Sequence, residues 1–322
     1  MNNQYITNRI DVSILIVNYN SFKLLQNCLN SIVNHSQDFE YEIIVIDNNS
    51  NEGNIEDVID KYDDIVMIKN SKNIGFAAAN NFAAKHANGK YLLLLNNDTL
   101  LTENSILDML DFAKNLNGNF ILVCKLLNED SSLQNSAYKF PSIRLHFAAT
   151  FFIDKIFPKS NSINKYYIDI AEKKEPTIVN SVIGAFIFIP KDTFNKLDGF
   201  DERFFFYHED TDLCYRLREI GGSVYYYPET SIIHYGGGTT NRNLWFSMKN
   251  RFISRIQFAQ KHFNSLDKIL FVLIEYIGII IRVPLFFLTG IILFNKNYLK
   301  RSVLSLRLIF IYPQNKFKPV NP

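Results

Sequence analysis

Over its first 125 residues the chain alternates short runs of Val, Ile and Leu with longer amphipathic stretches. That alternation limits the folds open to it more than any other feature. The runs are VSILIV (12–17), YEIIVID (41–47), IVMIK (65–69), KYLLLLN (90–96) and FILVC (120–124). A run apolar at successive positions suits a strand covered on both faces, as in a parallel sheet. Residues 21–33, 54–62, 76–86 and 102–116 read as helices between them, with Thr102 ahead of Glu103 as a start signal for the last. Repeated strand–helix units predict a doubly wound α/β sheet, a fold that binds ligands at the carboxyl ends of its strands. NSVIGAFIFI (180–189) and SVYYYP (223–228) add strands, while 128–178, with Pro141, Pro158 and Pro176, reads as an insertion over the sheet.

Composition narrows the classes. With 47% apolar and 20% charged residues among 322, the chain can bury a large core, and a net charge of +2 gives no nucleic-acid-binding field. Cys28, Cys124 and Cys214 are scattered without a CxxC pair, which argues against a disulfide framework or a zinc knuckle and favours a reducing compartment. The first residues carry no basic segment ahead of a long apolar run, so no signal peptide is readable there.

Chemistry gathers at the strand ends. NYNS (18–21), DNNS (47–50), NSKNIGFAAANN (70–81) and NNDT (96–99) follow the first four strands. Asn and Asp favour turns on their own account, yet four such clusters at one edge suit a single polar ligand. No GxGxxG follows the first strand and no P-loop occurs, which disfavours a dinucleotide-dependent dehydrogenase or a P-loop enzyme. Phosphate is then most simply handled through a divalent cation. Asp98 is a hard carboxylate at a strand end that could hold one, or could simply form the turn.

In GFDERFFFYHEDTDLCYRLREIGG (199–222), five carboxylates surround four aromatic residues ahead of a helical pattern. Acids in a first turn stabilise a helix dipole, and Asp212 can pair with Arg216 one turn on, with Gly221–Gly222 as the stop. The order VSILIVNYNS, IIVIDNNS, NIGFAAANN, LLLLNNDT, GAFIFIPKDTF, the 199–221 block and HYGGGTT resembles the family 2 inverting glycosyltransferases of GT-A fold. Within that family it is most similar to the bacterial rhamnosyltransferase-like branch of surface-polysaccharide synthesis, over roughly residues 10–240.

The resemblance implies residue roles. Asp210 corresponds to the catalytic base, with Glu209 beside it to orient acceptor or base, and the FFFY rings exclude water. Asp47 corresponds to the carboxylate that reads the nucleotide base, while Tyr19 and Asn20 border base and ribose. Asn73 and Gly75 lie near ribose and diphosphate, and Asn96 and Asn97 complete the donor set. Asp98 matches the last acid of the metal-binding D-x-D, whose first position here is Asn96, and His234 matches a histidine that approaches metal or diphosphate. The expected cofactor is Mg2+ or Mn2+. The expected reaction moves one sugar, dTDP-rhamnose being the favoured donor, to a lipid-linked or polysaccharide acceptor at the cytoplasmic membrane face. A UDP-sugar transferase of the same fold (galactofuranosyl, galactosyl or N-acetylglucosaminyl), an inactive nucleotide-sugar-binding assembly factor and a nucleotidyltransferase are the rival expectations.

The character changes after about residue 240, so the expected division is a catalytic domain over 1–240 and a helical region over 241–322. The segment 269–294 is apolar apart from Glu275 and Arg282, with Pro284 inside it, and Lys296, Lys300, Arg301 and Arg307 follow. Its length could cross a bilayer, but two charges near its middle are costly there. Seven residues apart, they share a face, which suits a helix lying in the membrane interface or a bent re-entrant hairpin. Two core helices packed on the catalytic domain are the alternative. Membrane contact is expected through 241–310, as a peripheral or monotopic protein.

Overall fold

The structure, a computed structural model, describes residues 10–157, 167–236 and 243–311. The expectations for the first nine residues, for Pro158, for Gly237–Thr240 of HYGGGTT and for the tail beyond Ile311 lie outside these. Contacts divide the chain into two units: Met1–Tyr138 with Tyr167–Glu202 and Glu209–Gly238, and Lys139–Tyr166 with Arg203–His208 and Thr239–Pro322. The 128–178 segment is thus shared between the two.

The elements of the first unit are β1 (Val12–Asn18), α1 (Phe22–His35), β2 (Tyr41–Asp47), α2 (Glu56–Ile59), β3 (Ile65–Lys69), α3 (Phe76–His86), β4 (Tyr91–Asn96), β5 (Thr99–Leu101), α4 (Ser105–Lys114), β6 (Phe120–Leu127) and β7 (Ala137–Tyr138). After α5 (Ile143–Thr150) and α6 (Ile153–Ile156) of the second unit, it resumes with β8 (Thr177–Val179), β9 (Ser181–Val182), β10 (Phe186–Pro190), α7 (Lys191–Lys196), α8 (Glu209–Glu219) and β11 (Ser223–His234). Strand order is β3-β2-β1-β4-β10-β6-β11-β5, with β8 paired to β11 and a separate β7-β9 ribbon. The β1–β2, β1–β4, β2–β3 and β6–β11 pairs are parallel, while β10 runs antiparallel to β4 and β6. Ile14, Leu15 and Ile16, successive in β1, are all fully buried, so the central strands are covered on both faces as their composition requires.

Three local expectations are corrected. Helix α4 starts at Ser105 behind Asn104, not at Thr102, because Thr99–Leu101 leaves the turn as an edge strand paired to β11. Only Glu56–Ile59 of 54–62 is helical. NSVIGAFIFI is two strands, not one: Ser181–Val182 pairs with β7 and Phe186–Pro190 joins the main sheet. The end of α8 follows expectation. Gly221 takes φ +77°, where a side chain is strained, and Gly222 N–H donates to the Leu217 carbonyl at 2.9 Å.

The second unit adds α9 (Leu244–His262), α10 (Ser265–Ile292) and α11 (Lys296–Ile309) to α5 and α6. Phe252, Ile256 and Ile279 form its apolar centre. Glu275 is 1% exposed, accepts from Arg255 Nε at 2.6 Å and lies 3.1 Å from His146 Nε2. Burial pushes its carboxyl up, but Arg255 and His146 outweigh that and hold it at about 2. Helix α10 is long and apolar enough to cross a membrane by length and composition, with a mean hydropathy of 2.3 over its most apolar window.

Candidate active site

Five neighbouring strands, β3, β2, β1, β4 and β10, bring the site to one edge of the sheet. Register places Asp47 beside Asn18, Lys69 beside Asp47, and Asn96 beside Val17. Strands 4.7–4.9 Å apart therefore line up the four polar turns. The helices that follow are set back by these turns, which leaves their Asn and Asp side chains to bond one another.

The turns interlock as three clusters. Asp47, 5% exposed, accepts from Ser50 Oγ at 2.5 Å and Asn18 Nδ2 at 3.5 Å through Oδ1, while Oδ2 accepts from Ser50 N–H at 3.3 Å. Asn97 Nδ2 donates to Asn18 Oδ1 at 2.7 Å, which ties the ends of β1, β2 and β4 together. Asn20, at φ +49°, accepts from Asn51 and Glu52 N–H groups and so pins the loop after β1 to that after β2. In the second cluster, Asn73 Oδ1 accepts from Asn48 Nδ2 at 2.9 Å and from Gly75 N–H at 3.0 Å. Gly75 has φ +88°, which a residue with a Cβ rarely adopts, and it opens α3. Burial and Glu52 push the Tyr19 phenol up, opposed by its hydrogen bond with Asn73.

The third cluster joins Asn96, Asp98 and His234. His234 Nε2 lies 3.4 Å from Asp98 Oδ1 and 3.4 Å from Asn96 Nδ2. These residues meet because β11 pairs with β5, placing His234 opposite Thr99, and Tyr235 N–H donates to the Asp98 carbonyl at 3.0 Å. On the other side of the ring, Nδ1 lies 2.6 Å from Gln134 Oε1. The Gln134 amide is oriented by its nitrogen, which donates to the His234 carbonyl at 3.3 Å and Asn128 Oδ1 at 3.0 Å. An amide oxygen only accepts, so in the neutral ring the proton sits on Nδ1 and the Nε2 lone pair faces Asp98.

Among the described residues no group of three or more His, Cys, Asp and Glu side chains could hold a metal by itself. The donors that do converge are one carboxylate, one imidazole nitrogen turned outward and one amide. The Asn96 amide nitrogen can donate to that Nε2 lone pair at 3.4 Å, which leaves the Asp98 carboxylate oxygen beside it to a cation. The set suits a hard-to-borderline divalent ion completed by water or phosphate oxygens. All three cysteines are buried and unpaired, and burial pushes each thiol up, to about 12 for Cys28 and Cys214.

Asp210, in the first turn of α8, is connected to the third cluster through two successive residues ahead of β10. Its Oδ2 accepts from Gly184 N–H at 2.9 Å, while the carbonyl of Ala185 accepts from Asn96 N–H at 3.0 Å. A Cβ at Gly184 would stand 3.3 Å from Asp210 Cβ, so any larger residue there would press on the carboxylate. Oδ1 accepts from Thr211 N–H at 2.6 Å and Thr211 Oγ1 at 3.2 Å. A carboxylate offers about four acceptor positions, so three donors fix the group and leave Oδ2 room for one proton. Burial raises the Asp210 pKa against the lowering effect of these donors. Glu209 is 6% exposed and its Oε2 has no hydrogen-bond partner among the described residues. Burial, then the adjacent charge of Asp210, pushes its carboxyl well up. Asp212 has the structural part expected of it: it accepts from Arg216 Nε at 2.7 Å, and Arg216 also donates to the carbonyls of Leu197 and Gly199.

Tyr19, Asn20, Asp47, Asn73, Gly75, Asn96, Asn97, Asp98 and His234 therefore sit in or beside these clusters, and Asp210, next to Glu209, is tied to them through Gly184 and Ala185. Asn18, Asn48 and Ser50 were quoted within the strand-end runs but carried no separate signal, and they prove to be the links between clusters. Gln134 and Gly184 could not have been singled out, because neither the position of 134 in a loop nor the small residue at 184 declares what faces it.

A mixed, mostly parallel sheet with its polar edge at the ends of β1, β2 and β4, flanked by helices, defines a GT-A-like glycosyltransferase architecture. The chain belongs to glycosyl transferase family 2, whose model matches residues 13–195. It is 28% identical over 232 residues to rhamnosyltransferase WbbL of Escherichia coli (strain K12), covering 70% of this chain and 83% of that protein. It is 23% identical over 212 residues to the N-acetylglucosaminyl-diphospho-decaprenol L-rhamnosyltransferase of Mycobacterium tuberculosis (strain ATCC 25618 / H37Rv), covering 62% of this chain and 68% of that one. In fold it is similar to the crystal structure of GalNAc-T7 with UDP, GalNAc and Mn2+, at a TM-score of 0.54 and 15% identity. The match covers 82% of this chain and 54% of that one, so this chain spans about half of that structure.

Proposed function

We propose that this glycosyltransferase moves one sugar, with inversion, from a nucleoside-diphosphate donor to a lipid-linked acceptor at the cytoplasmic membrane face. The observation that carries the reading is the link Asp98–His234–Asn96–Ala185–Gly184–Asp210. It ties an acid suited to the leaving diphosphate, through the His234 ring and then the backbone of Asn96, Ala185 and Gly184, to an acid suited to the attacking hydroxyl. Asp210 takes the proton of the acceptor hydroxyl on Oδ2 as its oxygen bonds to the anomeric carbon. The bond from that carbon to the diphosphate oxygen breaks on the opposite face. General-base assistance of this kind contributes about 10²–10⁴ in rate. Glu209, whose pKa burial and then Asp210 push well up, has an oxygen without a partner among the described residues to orient the acceptor.

Asp98, His234 and Asn96 would hold Mg2+ or Mn2+, which when bound neutralises charge developing on the diphosphate. The Asp47–Asn18–Ser50 cluster is assigned to the base, and Tyr19, Asn20, Asn73, Gly75 and Asn97 to the ribose and diphosphate. The two rhamnosyltransferase relatives favour dTDP-rhamnose as donor, and the name of the second favours a polyprenyl-diphosphate acceptor. Turnover with dTDP-rhamnose, UDP-galactose, UDP-galactofuranose and UDP-N-acetylglucosamine, with and without Mn2+, tests the assignment. Release of dTDP that depends on acceptor, and its loss in Asp210→Asn with donor binding retained, is the expected result. Activity with UDP-sugars alone rejects the donor. A silent Asp210→Asn with unchanged biological role rejects catalysis in favour of a binding factor.

A further inference from the structure

The helical unit carries an apolar stripe that no described residue covers. Along α10, Leu266, Leu273, Ile277, Ile280, Leu288 and Ile291 are 44–66% exposed. Their spacing keeps them on one face of a 3.6-residue helix through its whole 28 residues. The opposite face is buried at Phe271, Glu275, Gly278 and Ile279. Glu275 is satisfied there by Arg255 and His146, and the Arg282 guanidinium lies 5.9 Å from the Phe152 ring centre. The two charges in the apolar run therefore leave the stripe unbroken. At 1.5 Å per residue the stripe extends about 42 Å, longer than the roughly 30 Å a bilayer core requires. A spanning helix meets lipid all round, whereas the side of this one that carries Glu275 is buried against protein within its own unit. Beyond its end, Phe294 and Phe310 are 94% and 82% exposed.

The surroundings identify the occupant. Lys296, Lys300, Arg301 and Arg307 are exposed on and near α11, and no Asp or Glu follows Glu275 in the chain. Pairing two copies through this face would bring two basic, acid-free segments together, which like charge opposes. Anionic headgroups offset the same charge. We propose that α10 lies parallel to the membrane plane and inserts its apolar stripe to the acyl boundary of an anionic bilayer, with the α11 basic groups on lipid phosphates. This deepens the membrane part of the function proposed above but rests on the helical unit alone.

The test uses the full chain, spin-labelled singly through Leu266→Cys, Leu273→Cys, Ile280→Cys or Leu288→Cys, bound to vesicles of phosphatidylcholine with or without phosphatidylglycerol. The three native cysteines are buried and stay unlabelled. All four labels should report one shallow depth, and binding should require the anionic lipid and weaken about fivefold for each basic residue neutralised. Depth that rises to the bilayer centre and falls again along the helix overturns the proposal in favour of a span. Labels that stay out of lipid while the chain sediments as a dimer overturn it in favour of self-association. Sugar release with a soluble acceptor analogue, measured on the same variants, is expected to be unchanged. A failure of lipid binding is thereby separated from a failure of the transferase reading.

Discussion

Gln134 holds His234 from behind: its amide oxygen lies 2.6 Å from Nδ1 while its amide nitrogen donates to the His234 backbone carbonyl. One side chain thus sets both the tautomer and the ring plane of the residue that faces Asp98. Partners of this kind typically carry about 10–100-fold in metal affinity. Gln134→Met should therefore weaken Mn2+ binding by about that factor, as read by calorimetry or by the electron paramagnetic resonance of free Mn2+. Gln134→Glu, which keeps an acceptor on Nδ1, should retain most of it. Equal affinity in wild type and Gln134→Met would separate His234 from the metal.

Gly184 N–H donates to Asp210 Oδ2 at 2.9 Å, and the two residues pack closely. Adding a methyl by Gly184→Ala places a Cβ 3.3 Å from Asp210 Cβ, and the carboxylate must give way by a few tenths of an ångström. The backbone at 184 needs no positive φ, so the fold should survive. Displacing a general base at this scale should lower kcat about tenfold or more with little change in donor Kd. Steady-state kinetics beside a donor-binding titration decide it, and an unchanged kcat would remove Asp210 from the reaction.

Glu209 gives a pH signature with a defined sign. Its folded pKa lies well above the ordinary 4.5 because of burial and Asp210. Below the unfolded pKa both states are protonated and the group is neutral in its effect. As pH rises past that point the unfolded chain ionises first, so the cost of Glu209 grows until pH exceeds its folded pKa and stays at that level above it. Glu209→Gln should raise Tm at pH 8 and leave it nearly unchanged at pH 4. Asp210, raised in the same direction, should place the acid limb of kcat/KM above the ordinary aspartate range.

The helical unit should be acid-sensitive for two reasons. His208 is held neutral, its pKa pushed down to about 3 by burial and by Arg255 and Arg251, against the opposing field of Glu275. The unfolded chain binds that proton near pH 6.5, so stability falls from there toward pH 3. Glu275, held at about 2, contributes stability above its unfolded pKa that is lost as pH falls through 4.5 toward 2. Because Arg255, the partner left behind when Glu275 is removed, is 37% exposed, the loss should fall below the roughly 3–5 kcal/mol of a fully buried pair. Glu275→Gln should therefore lower stability near pH 7 and flatten the pH dependence below 4.5, as measured by urea unfolding.

Much of the architecture was legible in the residue order. Successive apolar positions in 12–17, 41–47 and 90–96 exclude a half-exposed sheet, and the Asn/Asp turns after them mark the ligand edge. The 180–189 run was less legible. Its apolar residues serve both a two-residue ribbon and a main-sheet strand, and only Gly184 between them reveals the break. The Glu275–Arg282 pair showed that one face of the long apolar helix is special, but not that this face turns inward to Arg255 and His146.

What the sequence determined alone was the central parallel strands, the edge that carries polar side chains and the family to which the chain belongs, because these follow from local periodicity and ordered motifs. The tertiary structure decided the rest. It brings His234 and Gln134 to Asp98, and Gly184 to Asp210, across separations of 136, 36 and 26 positions. It also decides which side of α10 remains uncovered. Hydrogen-bond partners and burial at such separations depend on strand order and packing, and no local pattern of residues encodes them.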